Sequence, residues 1–327
     1  MHAAWYEKNG PAAEVLQVGL QPDPQAGAGE VRVRLRASGV NPSDTKSRAG
    51  GRPVRWDRII PHSDGAGEID QVGEGVAPGR LGERVWVWNG QWQRPSGTAA
   101  QYIALPAVQA VTLPPSVSFE EGACLGIPAM TAFHAVRLLG DVHGKTILVT
   151  GGASGVGFYA AQMARLWGAH VITTVGSAEK AAAMAAAGLP DVILYKQGDV
   201  AHEVLQRTDQ KGVDGLVDLD FSSSHELVSQ GAVAPHACVV PYGSNRREPV
   251  ALDFWAWLYR SISLRPFLVY ELRPGEREAA INGINQMLRA GKLRHLVGEV
   301  CPLSDIVRAH EAVESGRVLG NVVVDCA

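Results

Sequence analysis

Cysteine is scarce in this sequence, and long apolar runs and strong charge of either sign are missing. The 327 residues include four cysteines, Cys124, Cys238, Cys301 and Cys326, with no C-x-x-C pair. Such wide spacing excludes the disulfide framework of a small secreted domain and the clustered ligands of a structural zinc site. Free thiols in a reducing compartment are expected instead. No stretch approaches the ~18–20 apolar residues of a membrane helix. The N-terminus, MHAAWYEKNG, lacks a basic segment followed by an apolar one, so a secretory signal is not expected. A cytoplasmic location without a membrane partner follows. Thirty Lys+Arg against 33 Asp+Glu give a formal charge of −3. With no basic run besides, nucleic acid is not an expected partner. The 37 Gly and 19 Pro carry no short repeat, which removes fibrous architectures.

What is present is the composition of an ordinary folded chain, 46% hydrophobic and 19% charged. At roughly 150 residues per domain the length predicts about two domains. The first ~120 residues read as β-rich. Val31 to Arg36 alternates strictly, as a half-buried strand does, and Glu68–Gly73 and Glu83–Trp88 are further short runs bounded by Gly and Pro. Many short strands with turn signals predict a compact barrel-like unit.

Near residue 125 the pattern changes. Short β-branched runs at 146–150, 170–175, 191–195, 215–219 and 237–241 alternate with helical spacing at 158–167 and 178–187. That alternation predicts βαβ units and a parallel sheet. A helix at 276–290, a strand at 295–300, a helix at 303–314 and a last strand at 321–324 close the chain.

The strongest chemical signal is the turn Val149-Thr150-Gly151-Gly152-Ala153-Ser154-Gly155-Val156-Gly157. It departs from G-x-G-x-x-G, but a strand precedes it, a helix follows, and a second strand comes about twenty residues on. Glycines there let the backbone approach a pyrophosphate, and the helix supplies unpaired N–H groups and its positive dipole end. An NAD site places Asp or Glu after the second strand, to accept from the ribose hydroxyl. Gly176 and Ser177 stand there instead, with Lys180 one helical turn on. A hydroxyl and an ammonium suit a 2′-phosphate, so NADPH is the expected cofactor.

The run GKTILVTGGASGVGFYAAQMARLWG, from Gly144 to Gly168, resembles the cofactor turn of the medium-chain dehydrogenase/reductase superfamily. Supporting pieces are Val40-Asn41-Pro42-Ser43-Asp44-Thr45, Asp64 to Gly67 with Val72 to Val76, and Gly126-Ile127-Pro128 with Met130 to Phe133. In that order they are most similar to the zinc-free quinone oxidoreductases, the ζ-crystallin-like group. The resemblance implies an α/β fold: a Rossmann-type doubly wound parallel sheet domain over 126–267, and a GroES-like β-barrel domain formed from both chain ends, 1–125 and 268–327. It also implies a homodimer through the edge of the Rossmann sheet.

The same resemblance implies cofactor contacts. Asn41 and Thr131 lie by the nicotinamide and its ribose, with Asp44 as a further positioning group. Gly152, Ser154, Gly155, Val156 and Gly157 hold the pyrophosphate. Gly176, Ser177, Lys180 and Tyr195 surround the 2′-phosphate, and Tyr242 with Gly243 meets the ribose. Phe267, Leu268 and Val269 either meet the carboxamide or form a buried strand. Asn321, where the tail returns, is implied as a contact, with a structural role as the alternative.

Zinc enzymes of the superfamily bind their catalytic metal through Cys, His and Cys. Here Asn41, Ser63 and Ile127 fall at or near those positions, and His62 is one residue out of register. No metal is therefore expected. His62, His134 and His225 read as structural histidines. Quinone acceptors need no protein acid, because solvent can protonate the hydroquinone.

On the substrate side, Lys46 and Arg52 replace tyrosines common in bacterial quinone reductases, and Arg55 follows in a loop with Arg58 and Trp56. The loop is either a solvated basic stretch or a mouth for an anionic substrate. Trp86, Trp88 and Trp92 are read as core or as the walls of a flat cleft. Three functions stay open: a small-molecule quinone reductase, a reductase of enones, enals or acyl thioesters, and an NADPH-binding protein with little turnover.

Overall fold

The structure is a computed structural model that describes all 327 residues. It divides into two compact units, residues 1–128 with 284–327, and 129–283.

In the first unit, β1 (His2–Trp5) and β2 (Gln17–Leu20) form a small antiparallel pair. A seven-stranded sheet follows from β3 (Glu30–Val40), β4 (Asp64–Val72), β5 (Arg84–Val87), β6 (Tyr102–Pro106) and β7 (Ala110–Thr112). The alternation read in the sequence explains β3. Val31, Val33 and Leu35 are buried, while the intervening arginines face outward to carboxylates on β4. Arg32 donates two 2.9 Å hydrogen bonds to Asp70, and Arg34 and Arg36 share Glu68. These cross-strand pairs fix the register that keeps the valines inside.

The second unit holds six parallel strands: β8 (Thr146–Val149), β9 (His170–Val175), β10 (Val192–Leu194), β11 (Val213–Asp218), β12 (Val233–Pro241) and β13 (Ser263–Leu264). Their spatial order is β10-β9-β8-β11-β12-β13. The order reverses direction between β8 and β11, the point where a doubly wound sheet opens a crevice at the carboxyl ends of its strands. Helices Gly155–Leu166, Ala178–Ala186 and Val200–Arg207 follow the first three strands. The expected α/β class with a doubly wound parallel sheet is thus observed.

The chain then rejoins the first unit. There β14 (Val297–Pro302) pairs in parallel with β15 (Asn321–Asp325), which lies antiparallel to β3. Val322, Val324, Cys301 and Cys326 complete its core beside Val31, Val33 and Ile103. All four cysteines are buried free thiols, as their spacing predicts.

Two local expectations fail. Phe267–Val269 is not a strand: β13 ends at Leu264, Pro266 supplies no ladder donor, and a 3₁₀ turn begins at Val269. Trp86 and Trp88 do not share one fate either. Trp86 is fully buried and donates to Asn285 at 3.2 Å, whereas Trp88 lies past the end of β5 and is half-buried.

Candidate functional site

At the switch point of the second unit, Thr150 leaves β8 and its hydroxyl joins the two central strands. It donates to Asp218 Oδ1 at 2.9 Å and accepts from the Leu219 N–H at 2.8 Å. Ser224 donates to the other Asp218 oxygen at 2.6 Å. Burial raises the Asp218 pKa, against the pull of Ser224 and Thr150. The sequence reading passed over this clasp, because a lone Thr and Asp 68 residues apart carry no motif.

Gly151 then turns the chain at φ +67°, a left-handed conformation that favours glycine. A Cβ on Gly157 would sit 2.2 Å from the Gly151 carbonyl oxygen, so the first helical turn packs against the loop only as glycine. Ser154 caps the helix by accepting from Gly157 N at 3.1 Å. The N–H groups of Gly155 and Val156 in this first turn have no earlier carbonyl of the helix to meet, which suits them to an anion. Gly152 is held against β9 by its N–H to the Thr174 carbonyl at 2.9 Å.

After β9, Ser177 caps the next helix by accepting from Lys180 N at 3.3 Å. Capping uses a lone pair and leaves the O–H able to donate. Burial lowers the Lys180 pKa, and the neighbouring Lys196 ammonium lowers it further. A Cβ on Gly176 would lie 3.0 Å from the Tyr195 hydroxyl and 3.3 Å from Lys196 Cε, which places both side chains beside the glycine. Ser177, Lys180, Tyr195 and Lys196 therefore converge. Lys196 escaped the sequence reading, its one signal being its place directly after Tyr195 at the end of β10.

Past β12, the Tyr242 N–H donates to the Asp218 carbonyl at 3.0 Å and Gly243 packs on the Leu219 carbonyl. The Tyr242 hydroxyl is buried near Ser154, and burial with Asp218 nearby drives its pKa upward against the pull of Ser154. A glycine cradle and a helix N-terminus at the switch point fit a dinucleotide.

Phe267 and exposed Leu268 line a separate cavity of about 470 Å3 with His134, whereas buried Val269 is not in its wall. The His134 ring meets Phe267 edge-on at 4.7 Å, and its Nδ1 has no partner, so His134 is not the satisfied histidine expected. His225 is satisfied by the Phe221 carbonyl at 3.1 Å. Thr131 is buried in the helix Met130–Leu138.

In the first unit, Asn41 stands at the end of β3 and opens the helix Pro42–Lys46. Its backbone N–H donates to Asp44 Oδ2 at 2.8 Å, and its side-chain amide donates to Asp64 Oδ2 at 2.8 Å. Asp64 also accepts from Ile127 N at 2.8 and 2.9 Å. Burial pushes Asp44 up to about 7 and Asp64 well above the ordinary carboxylate range. Asn321 is buried, with its amide donating to the Leu296 carbonyl at 3.1 Å. His62 is not isolated: its Nε2 meets His310 Nε2 at 3.0 Å and its Nδ1 meets Ser38 at 2.9 Å. Arg52 and Arg55 line a second cavity with Trp56 and Trp92, whereas exposed Lys46 is not in its wall.

Residues 27–115 match the family described as the alcohol dehydrogenase GroES-like domain, and residues 187–324 match the family described as zinc-binding dehydrogenase. A quinone oxidoreductase of Pseudomonas aeruginosa is 31% identical over 316 residues, covering 95% of each chain. A solved NAD-dependent alcohol dehydrogenase is 29% identical with a TM-score of 0.89, covering all of both chains. A mycobacterial protein solved in complex with NADPH is 28% identical with a TM-score of 0.88, covering 99% of this chain and all of that one.

The Asp44 environment sets a pH dependence of stability. Its folded pKa of about 7 exceeds the unfolded value of 3.8, so the fold favours the neutral acid. The stability this contributes is complete below about pH 4 and is lost as pH rises through about 7. In urea unfolding from pH 4 to 8, Asp44→Asn is expected to flatten the part of the decline that the wild type shows across that window. An unchanged decline would remove Asp44 as its source.

Proposed function

The chain belongs to the quinone oxidoreductase-like group of the medium-chain dehydrogenase/reductase superfamily, and from that membership we propose that it reduces quinones with NADPH and without a metal. The observation that carries the cofactor half is the group at the end of β9, where Ser177, Lys180 and Lys196 stand in place of an acidic residue. A 2′-phosphate carries about two negative charges at neutral pH, which two ammonium groups and a hydroxyl donor stabilise and a carboxylate repels. The metal-free half rests on the donor set. Asn41 commits its amide N–H to Asp64, Ser63 is a buried hydroxyl, and no group of three His, Cys, Asp or Glu side chains is arranged to hold a metal ion.

NADPH when bound supplies a hydride. The chain's part is to hold and orient. The Gly155 and Val156 amides take the pyrophosphate, and Tyr242 and Gly243 line the ribose side. Asn41, fixed by Asp64 and Asp44, and Thr131 act as positioning groups. A hydride carries two electrons and the equivalent of one proton, so a quinone acceptor would need one further proton, which water would supply. No protein acid is required.

The assay follows NADPH oxidation at 340 nm with 9,10-phenanthrenequinone beside crotonyl-CoA and a simple enone. Quinone turnover at least about tenfold above the alkenes is expected. The reverse ranking would overturn the quinone reading and establish the reduction of activated alkenes.

The Ser177→Ala/Lys180→Ala double variant tests the cofactor. Losing a charge-assisted contact on each side of the phosphate is expected to lower the NADPH-over-NADH preference in kcat/KM by about 100-fold or more. A preference that survives would place the 2′-phosphate elsewhere.

The same reading includes a homodimer through the β13 edge. The helix Phe254–Tyr259, which leads into β13, carries Phe254, Trp255, Leu258 and Tyr259, 64%, 60%, 50% and 81% exposed, an apolar patch that a second copy would cover. Sedimentation is expected to give a dimer for the wild type and a monomer for Trp255→Glu/Tyr259→Glu. A monomeric wild type would overturn it.

A further inference from the structure

The arginine loop of the first unit folds over a cavity of about 220 Å3. Arg52, Arg55, Trp56, Trp92, Gln91 and Tyr6 are among its walls, and no carboxylate lines it. The Arg52 guanidinium lies 4.3 Å from the Trp92 ring centroid, a stacking that fixes its plane, and it also feels the charge of Asp44. Arg55 has no ion-pair partner. The Tyr6 phenol is pushed up to about 12, first by burial and then by Asp44, so it remains a donor throughout the physiological range. Two carboxylates lie close to the wall without forming part of it. Asp44 is the buried acid that titrates at about 7, and Asp57 is exposed on the same loop.

We infer that this cavity binds a planar aromatic ring bearing one anionic group, a carboxylate or a sulfonate, and that it selects such compounds among the acceptors of the proposed reaction. Flat indole faces suit a ring, and the two guanidinium groups suit the planar, two-oxygen edge of a carboxylate. The volume limits the occupant. Sites for drug-sized ligands run roughly 300–1,000 Å3, so one or two fused rings fill this cavity and the nucleotide portion of a coenzyme A ester does not fit. Only the selection of acceptors rests on the proposed function; binding requires no turnover.

The test titrates the full chain with 2-naphthoate and with its neutral isostere 2-naphthamide, by calorimetry and tryptophan fluorescence at low salt. Naphthoate is expected to bind at least about tenfold more tightly, as a charge-assisted hydrogen bond confers. Arg55→Gln and Arg52→Gln are expected to abolish that advantage, Arg58→Gln to preserve it, and Trp92→Phe to weaken both ligands. Arg55 is exposed, so its variant reports on binding even where Arg52→Gln disturbs the fold. Equal binding of acid and amide overturns the inference, as does an acid preference that survives Arg55→Gln. Inorganic phosphate that competes as well as naphthoate overturns its aromatic half.

Turnover provides the second arm. The ratio of kcat/KM for 1,2-naphthoquinone-4-sulfonate to that for 1,2-naphthoquinone is expected to fall about tenfold in Arg55→Gln. Naphthoate binding that depends on Arg55, with neither quinone reduced, would sink the quinone reading and leave the site standing. Reduction of both quinones at a ratio indifferent to Arg55, with no acid preference in binding, would do the opposite.

Discussion

Thr150 is the residue on which the second unit's chemistry depends. A doubly wound sheet has to part its connections on opposite faces where its strand order reverses, and the two strands at that point share no turn to hold their ends together. Here one hydroxyl serves as both donor and acceptor, to Asp218 and from Leu219, and ties the end of β8 to the end of β11. The glycine turn departs from the Thr150 side of that tie. The 218–224 loop departs from the other, where Ser224 occupies the second Asp218 oxygen. Tyr242 follows β12 and donates its backbone N–H to the Asp218 carbonyl. The glycine turn and the Tyr242 backbone thus take their positions from one small polar cluster, whose buried groups are hydrogen-bonded to one another.

The first unit solves a similar problem with Asp64. Three chain segments, at Asn41, Asp64 and Ile127, meet through one buried carboxylate that receives an amide N–H and a backbone N–H. The Asp64 backbone carbonyl accepts from Thr98, which bonds Ser38, which in turn bonds His62 and so reaches His310. Burial depresses both histidines, His310 to about 3. The pair is therefore neutral, with one ring N–H donating to the other ring. Asn41 cannot turn without leaving a buried carboxylate short of a donor, and that cost makes it a rigid positioning group.

Elements were legible in the sequence where one local rule sufficed. Val31, Val33 and Leu35 announce a strand by period two, and the run from Val149 to Gly157 announces a tight turn from strand to helix whose steric demands glycine meets. Illegible features depend on distant partners. His62 reads as an isolated loop histidine because His310 lies 248 residues away. Lys196 reads as any surface lysine until the fold brings it beside Gly176 and Lys180. Phe267 to Val269 reads equally as a cofactor contact or a buried strand, and Pro266 ends the strand alternative through a missing N–H. His134 reads as satisfied because most helical histidines are, whereas this one faces a phenylalanine edge.

Net charge misleads for a related reason. A total of −3 argues against a polyanion surface, and it says nothing about where 30 cations stand. On β3, arginines pair with cross-strand carboxylates, and the exposed Arg34 and Arg36 pairs with Glu68 contribute little beyond register. Other cations are gathered together by the fold: Lys196 lies near Lys180 at the end of the sheet, and Arg52 and Arg55 share a cavity wall that no acid lines. Crowding like charges is unfavourable in the free protein. Burial is the larger cause of the lowered Lys180 pKa and the Lys196 charge the next, and a bound anion would relieve the second.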